Sequence, residues 1–245
     1  MTAISIKTED GTCPAYTFEP ASGGGAHPAI VVFIDGVGMR PALHPLAQRI
    51  ADQGYFVLMP DLFYRAGAYT APVMLDLFKD PEVGKAWFGK VAAVAQPAMI
   101  MRDVPAFLAY LDAQPTVKRG KIGVTGYCMG GRLSFIAAAT FPDRIAAAGS
   151  FHPGGLVSDD PASPHLLASK ITGRVYVAAA TEDAHFSAAQ QKILDDALTA
   201  AHVSHTVIEY PAKHGWVPID SPIHDAAQAE RHFDALKELF AATLA

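Results

Sequence analysis

Gly126-Tyr127-Cys128-Met129-Gly130 sets a cysteine between two glycines, where an apolar run ends and an apolar helical pattern begins. A nucleophile held at a sharp strand-to-helix corner needs small neighbours of this kind, so that its head is exposed. The helix expected over Met129–Thr140 starts just beyond Cys128, and its partially positive end favours a thiolate. Burial as a small hydrophobe is the ordinary alternative for a free cysteine. A nucleophile also needs a base within reach and a group that orients the base. Among ten histidines, His214 stands out, because Lys213-His214-Gly215-Trp216 follows the last expected strand and precedes the final helix. His152, in His152-Pro153-Gly154-Gly155, is its rival as base; otherwise it lines a pocket or merely turns the chain. Glu182 or Asp183 could orient the imidazole, and the spacing from the strand end favours Asp183. A tetrahedral intermediate needs two backbone N–H donors. Met129, after the nucleophile, supplies one; Gly36, in Asp35-Gly36-Val37-Gly38, supplies the other unless that tetrapeptide is an ordinary turn.

These residues need a scaffold, and the hydropathy pattern supplies one. Residues 3–7 and 13–19 read as antiparallel strands joined at Glu9-Asp10-Gly11. Gly23-Gly24-Gly25-Ala26-His27-Pro28 is a loop with no helix after it to cradle a phosphate. Residues 29–34 and 55–59 are continuous apolar runs, as in strands buried on both faces. Between them a helix over 41–53 presents Leu43, Leu46, Ala47 and Ile50 on one face and stops at Gly54. Residues 66–96 lack a clean period and read as an excursion over the sheet edge, a partial lid. A long helix starts at Pro97, with a kink or break expected at Pro105. After the cysteine corner come strands over 144–151, Arg174–Ala180 and His205–Tyr210, a helix over 188–201, and a closing helix over 226–244 with Phe233, Leu236, Leu239 and Phe240 inward. Alternation of this kind implies an α/β fold, a mostly parallel sheet of about eight strands with helices on both faces, in a single domain over 1–245. Ligands bind such sheets at the carboxyl ends of the strands, where Asp35, Cys128, His152, Asp183 and His214 all fall.

Composition narrows the chemistry. The chain has 245 residues, half of them hydrophobic, and a net charge of −5. No basic run offers a nucleic acid its phosphate contacts. The N-terminus lacks the pattern of a signal peptide, and no apolar stretch has the length of a membrane span, so no membrane partner is expected. Two distant cysteines, Cys13 and Cys128, make no disulfide framework and suit a reducing cytosol, so a cytoplasmic location is expected. No histidine pair has zinc-ligand spacing with a convincing third ligand, and neither a metal nor another cofactor is called for. The expected oligomeric state is a monomer or a homodimer.

The chain order of nucleophile, acid and histidine is that of the α/β-hydrolase fold. At this point the sequence resembles the dienelactone hydrolase family, through Asp35, Gly54-Tyr55, Pro60-Asp61-Leu62, the Gly126-to-Gly131 corner, Asp183 and Lys213-His214-Gly215. The resemblance implies a cysteine that attacks a lactone or ester carbonyl, a histidine and aspartate that complete the triad, and an acidic residue before the oxyanion loop that helps form the thiolate. Asp35 occupies that last position, one methylene shorter than the family's usual glutamate. The family's founding activity uses arginines for the substrate's carboxylate, one of them soon after the catalytic histidine, and His214-Gly215-Trp216-Val217-Pro218 has none. Arg40 and Arg65 could serve an acid instead, or only the surface. Tyr64 and Trp216 are pocket walls or plain core. The expected function is therefore hydrolysis of a small ester or lactone through a Cys128 thioester. A degenerate site that binds a small molecule without chemistry, and a redox-active Cys128, are the alternatives.

Overall fold

The computed structural model describes residues 1–21 and 24–244, so Gly23 of the glycine-rich loop and Ala245 lie outside the described residues. The apolar runs expected from the sequence are strands of one eight-stranded sheet. At one edge β1 (Thr2–Thr8) and β2 (Gly11–Phe18) form a hairpin, and β2 also runs antiparallel to β4 (Phe56–Pro60). Every further pairing is parallel: β4 with β3 (Ala29–Phe33), then β5 (Ile122–Tyr127), β6 (Ile145–Phe151), β7 (Arg174–Ala180) and β8 (His205–Tyr210). Strands β3, β4 and β5 are buried at every residue, as expected where helices cover both faces of a parallel sheet.

The strand order β1-β2-β4-β3-β5-β6-β7-β8 reverses at β3, which has β4 on one side and β5 on the other. Loops leaving β3 and β5 therefore run apart and open a crevice at the strands' carboxyl ends. The register decides which residues meet there. Phe33 lies opposite Gly126, so Asp35 and Cys128 each stand two residues past an aligned pair. Tyr127 lies opposite Phe151, which makes Cys128 and His152 neighbours, and Ala180 lies opposite Tyr210, three residues before Asp183 and four before His214.

Helix α1 (Leu43–Ala51) is shorter at both ends than expected, because residues 40–44 begin as turns and Gly54, with φ +103°, caps the far end. The stretch over 66–96 is more regular than its sequence period suggested: α2 (Met74–Lys79) and α3 (Pro81–Val94) occupy most of it, the latter started by the Asp80 side chain and Pro81. Helix α4 (Pro97–Asp112) continues through Pro105 without a break. A proline there costs roughly 3 kcal/mol. Burial of Ile100, Val104, Phe107, Leu108 and Leu111 on both sides of it outweighs that cost. Helix α5 (Met129–Thr140) follows the cysteine corner, α6 (Ala188–Ala200) links β7 to β8, and α7 (Ala226–Ala241) closes the fold with Phe233, Leu236, Leu239 and Phe240 buried. No single helix among the described residues is long and apolar enough to cross a membrane.

Candidate active site

Cys128 sits between β5 and α5 with φ 53° and ψ −114°, a conformation that L side chains rarely adopt. The two flanking glycines explain how the chain accepts it. A Cβ on Gly126 would lie 2.2 Å from the Gly130 carbonyl oxygen, and one on Gly130 would lie 2.1 Å from the Phe33 carbonyl oxygen. The corner is thus pressed against the end of β3, and only glycine fits at either place. The Cys128 N–H donates to Phe151 O at 3.0 Å and to His152 Nδ1 at 3.1 Å, which fixes the corner to β6 and the loop beyond it.

His214 Nδ1–H donates to Asp183 Oδ2 at 2.7 Å, and Asp183 Oδ1 accepts the His185 N–H at 2.8 Å. Both oxygens of this buried carboxylate are therefore engaged, one of them in orienting the imidazole. Burial works against charge on His214. The hydrogen bonds to Asp183 and Cys128 and the charges of both together outweigh it, and the pKa is pushed up to about 10. Burial likewise opposes ionisation of Asp183, yet His214 holds its carboxyl below the ordinary value. The alternative carboxylate, Glu182, points away and pairs with Lys213 at the surface. The alternative base, His152, is fully buried and has no carboxylate partner among the described residues. Burial, with His214 and His232 nearby, drives its pKa well below the ordinary value, so it is a neutral ring that accepts the Cys128 N–H and leaves Nε2 unpartnered.

A cavity of about 360 Å³ lies over these groups. Cys128, Met129, Gly36, Asp35, His152 and His214 are all part of its wall. The N–H groups of Gly36 and Met129 meet no acceptor among the described residues. The Gly36 carbonyl accepts the Trp87 indole N–H at 2.8 Å, so α3 fixes the orientation of that peptide. The residues over 66–96 contribute Met74, Phe78 and Phe88 to the wall, and Phe88 packs so close that a Cβ on Gly36 would lie 3.3 Å from its ring.

Four of the residues expected to contact substrate lie elsewhere. Arg40 is buried, clamped between Asp35 (Nη1 to Oδ1 and Nη2 to Oδ2, both 2.8 Å) and Asp220 (Nε to Oδ2, 2.6 Å), and it does not reach the cavity. Tyr64 and Arg65 bind Asp103 at 3.0 and 2.7 Å and tie α4 to the β1–β2 hairpin through Thr8 and Asp10. Trp216 is wholly buried, stacked on Tyr210 and edge-on to His152, and supports that ring from behind. Asp35 does line the cavity, but Arg40 takes both its oxygens and the Val37 N–H takes one of them again at 2.9 Å, so it holds the loop after β3 rather than a thiol. Conversely, Arg132, His185, Val37 and Pro218 line the cavity without having been singled out from the sequence. Arg132 had a signal: it follows Cys128 by one helical turn, and its N–H donates to Cys128 O at 3.2 Å. The aromatic residues of α2 and α3 had none, since their helical period is irregular. Among the described residues no three His, Cys, Asp or Glu side chains are placed to share a metal ion.

Comparison with known proteins gives the same direction. A model of the dienelactone hydrolase family matches residues 13–244. A candidate carboxymethylenebutenolidase from Synechocystis sp. is 26% identical over 98% of this chain and 95% of its own length. A carboxymethylenebutenolidase from Rhodococcus opacus is 29% identical over 68% of this chain and 61% of its own length. Among solved structures, a candidate dienelactone hydrolase from Klebsiella pneumoniae superposes with a TM-score of 0.84 at 21% identity, covering 98% of this chain and 97% of that one. A dienelactone hydrolase-like promiscuous phosphotriesterase from metagenomic libraries reaches a TM-score of 0.75 at 25% identity, covering 99% and 98%. The chain has the α/β-hydrolase fold and belongs to the dienelactone hydrolase family of hydrolases.

Proposed function

We propose that the protein hydrolyses a small ester or lactone through a thioester on Cys128, with His214 as acid and base and Asp183 as its orienting carboxylate. The observation that carries this reading is the 2.7 Å Asp183–His214 hydrogen bond beside a cysteine at a strained corner, all at one cavity. With its pKa near 10, His214 is an imidazolium at neutral pH. An imidazolium beside a thiol favours the thiolate, the reactive form of sulfur. The sulfur adds to the substrate carbonyl, and the resulting oxyanion takes the two free N–H groups of Gly36 and Met129. Collapse of the tetrahedral intermediate breaks the C–O bond, and His214 gives its proton to the departing alkoxide, which in a lactone stays tethered to the acyl group. The imidazole, now neutral, takes a proton from water as it attacks the thioester; breaking the C–S bond releases the acid and restores the ion pair.

Asp35 then acts at one remove: its bonds to Arg40 and to the Val37 N–H shape the loop that carries the Gly36 donor. The names of the relatives, carboxymethylenebutenolidase among them, favour a lactone over an acyclic ester. Two free thiols suit a reducing compartment such as the cytoplasm. Cys13 is buried on β2 with its pKa pushed up to about 12, chiefly by burial, so it is an inert thiol rather than a redox partner. Kinetics of the Cys128→Ala variant on a panel of aryl esters and lactones test the reading. It expects turnover to fall to background while the far-ultraviolet spectrum and melting temperature stay close to the parent's. Retained turnover would make the corner structural.

A further inference from the structure

We propose that His152 is a positioning residue for the hydrolysis and acts through the main chain of Cys128: by accepting the Cys128 N–H, its Nδ1 sets the angle of the corner and aims the Met129 N–H at the developing oxyanion. The inference rests on the hydrolytic reading above and adds a residue to its machinery. Two peptides meet at the nucleophile. The Arg132 N–H donates to Cys128 O at 3.2 Å, which ties the peptide carrying the Met129 N–H to the first turn of α5. The peptide before it is held through the Cys128 N–H, which donates to Phe151 O at 3.0 Å and to His152 Nδ1 at 3.1 Å. Among the described residues His152 supplies the one side chain that bonds the Cys128 main chain, and the other two anchors are backbone.

A histidine at this place is costly in two ways, and neither cost is needed to satisfy a donor. Its φ is 38°, directly before Pro153, where a glycine would take the conformation without strain. While Nδ1 accepts, Nε2 carries the ring proton, and that buried N–H has no partner, a loss of about 1–3 kcal/mol. Phe151 O already satisfies the Cys128 N–H, so the second acceptor adds direction rather than pairing. Sharing the hydrogen between two acceptors turns the Tyr127–Cys128 peptide towards the ring. With Cys128 O fixed to α5, that turn decides the angle between the two peptides, and with it the line of the Met129 N–H. Backbone strain persists where the surroundings enforce it, and at active sites it preorganises the reacting groups. Here the His152 N–H donates to Ala178 O at 2.7 Å, and Trp216 stands edge-on to the ring with centroids 4.7 Å apart. Burial keeps the ring uncharged, so Nδ1 stays free to accept. The ring also packs on His214, with centroids 5.2 Å apart, and support of the base by packing alone is the rival role.

Two variants give opposite answers for the two roles. His152→Asn keeps an acceptor, because its Oδ1 stands two bonds beyond Cβ as Nδ1 does, and asparagine tolerates a positive φ; it loses the ring. His152→Phe keeps a flat ring and loses the acceptor. His152→Gly, which suits the φ and also lacks the acceptor, takes its place should the phenylalanine variant fail to fold by far-ultraviolet spectrum and melting temperature. On p-nitrophenyl acetate the variant without an acceptor is expected to lose roughly 10- to 100-fold in kcat, with KM within about threefold of the parent's, since a misplacement of about 1 Å costs up to about 10²-fold. His152→Asn should return most of that loss. Nitrogen NMR of the His152 ring in the parent needs no variant and should show the Nε2–H tautomer. Parent-like kcat in the folded variant without an acceptor, His152→Asn as slow as that variant, or an Nδ1–H tautomer in the parent would overturn the positioning role and leave the hydrolytic reading standing. Absence of ester turnover by the parent itself would overturn the hydrolytic reading, and this role with it.

Discussion

Replacing Asp183 by Asn is the most informative single change in the site. The side chain keeps its size, so the buried position can be filled as before, but the charge that holds His214 protonated is lost. The rise of the His214 pKa from 6.5 to about 10 corresponds to roughly 5 kcal/mol in favour of the imidazolium, won against the burial of the ring. The hydrogen bond to Asp183 is the largest favourable contribution, and the Asp183 charge adds to it. Without them only Cys128 opposes the burial of the ring, and His214 should titrate well below its value in the parent. At pH 8 the imidazolium, nearly all of the protein in the parent, then becomes a smaller fraction. The amide also leaves the ring free to take the wrong tautomer, a fault that costs about 10⁴ in kcat in a serine protease with the same arrangement. Since a thiolate needs less help from its base than a hydroxyl does, a loss of about 10²–10⁴ in kcat/KM is expected here. The assay is twofold: a pH–rate profile on an activated ester, and NMR titration of the His214 ring in both proteins. A His214 titration that stays where it was in the Asn variant would refute the electrostatic reasoning, whatever happened to the rate.

Other parts of the structure give further expectations. Gly130→Ala drives a Cβ to 2.1 Å from the Phe33 carbonyl, so it should destabilise the fold by about 3 kcal/mol or more in urea and abolish turnover. Arg40→Met strands the buried Asp35 carboxylate and should cost about 3–5 kcal/mol, most of which the added change Asp35→Asn should return; equal stability of the single and double variants would contradict the buried ion pair. For His214, whose pKa is higher folded than unfolded, the stabilisation is fully present below pH 6.5 and disappears as pH rises towards 10. Urea midpoints should therefore fall between pH 7 and 10 by the equivalent of roughly 2–4 kcal/mol, and His214→Asn should flatten that slope.

Much of this site was legible because it depends on local patterns. The glycines around Cys128 announce a crowded corner whatever the rest of the chain does, and the Phe33 carbonyl supplies the crowding. Strand ends could be located from apolar runs, so Asp183 and His214 could be matched to the crevice before their 2.7 Å contact was known. What stayed hidden was partnership. Nothing near Arg40 in sequence shows that Asp220, 180 residues away, will hold it together with Asp35, or that Arg65 will be taken by Asp103. An arginine bound by carboxylates and an arginine free to meet substrate read alike in one dimension. The helices over 66–96 were obscured for a related reason. Their exposed Phe78 and Phe88 face a cavity instead of the core, which breaks the period that marks an amphipathic helix.

The central claim is that Cys128 carries the acyl group. Rapid quenching of the parent protein with an activated aryl ester, followed by peptide mass spectrometry, tests it most directly. The account predicts a transient acyl adduct on the peptide holding Cys128, formed as fast as the first turnover, longer-lived in His214→Asn and absent in Cys128→Ala. Steady hydrolysis by the parent with no adduct at Cys128 at any quench time, or an adduct only on another residue, would contradict it.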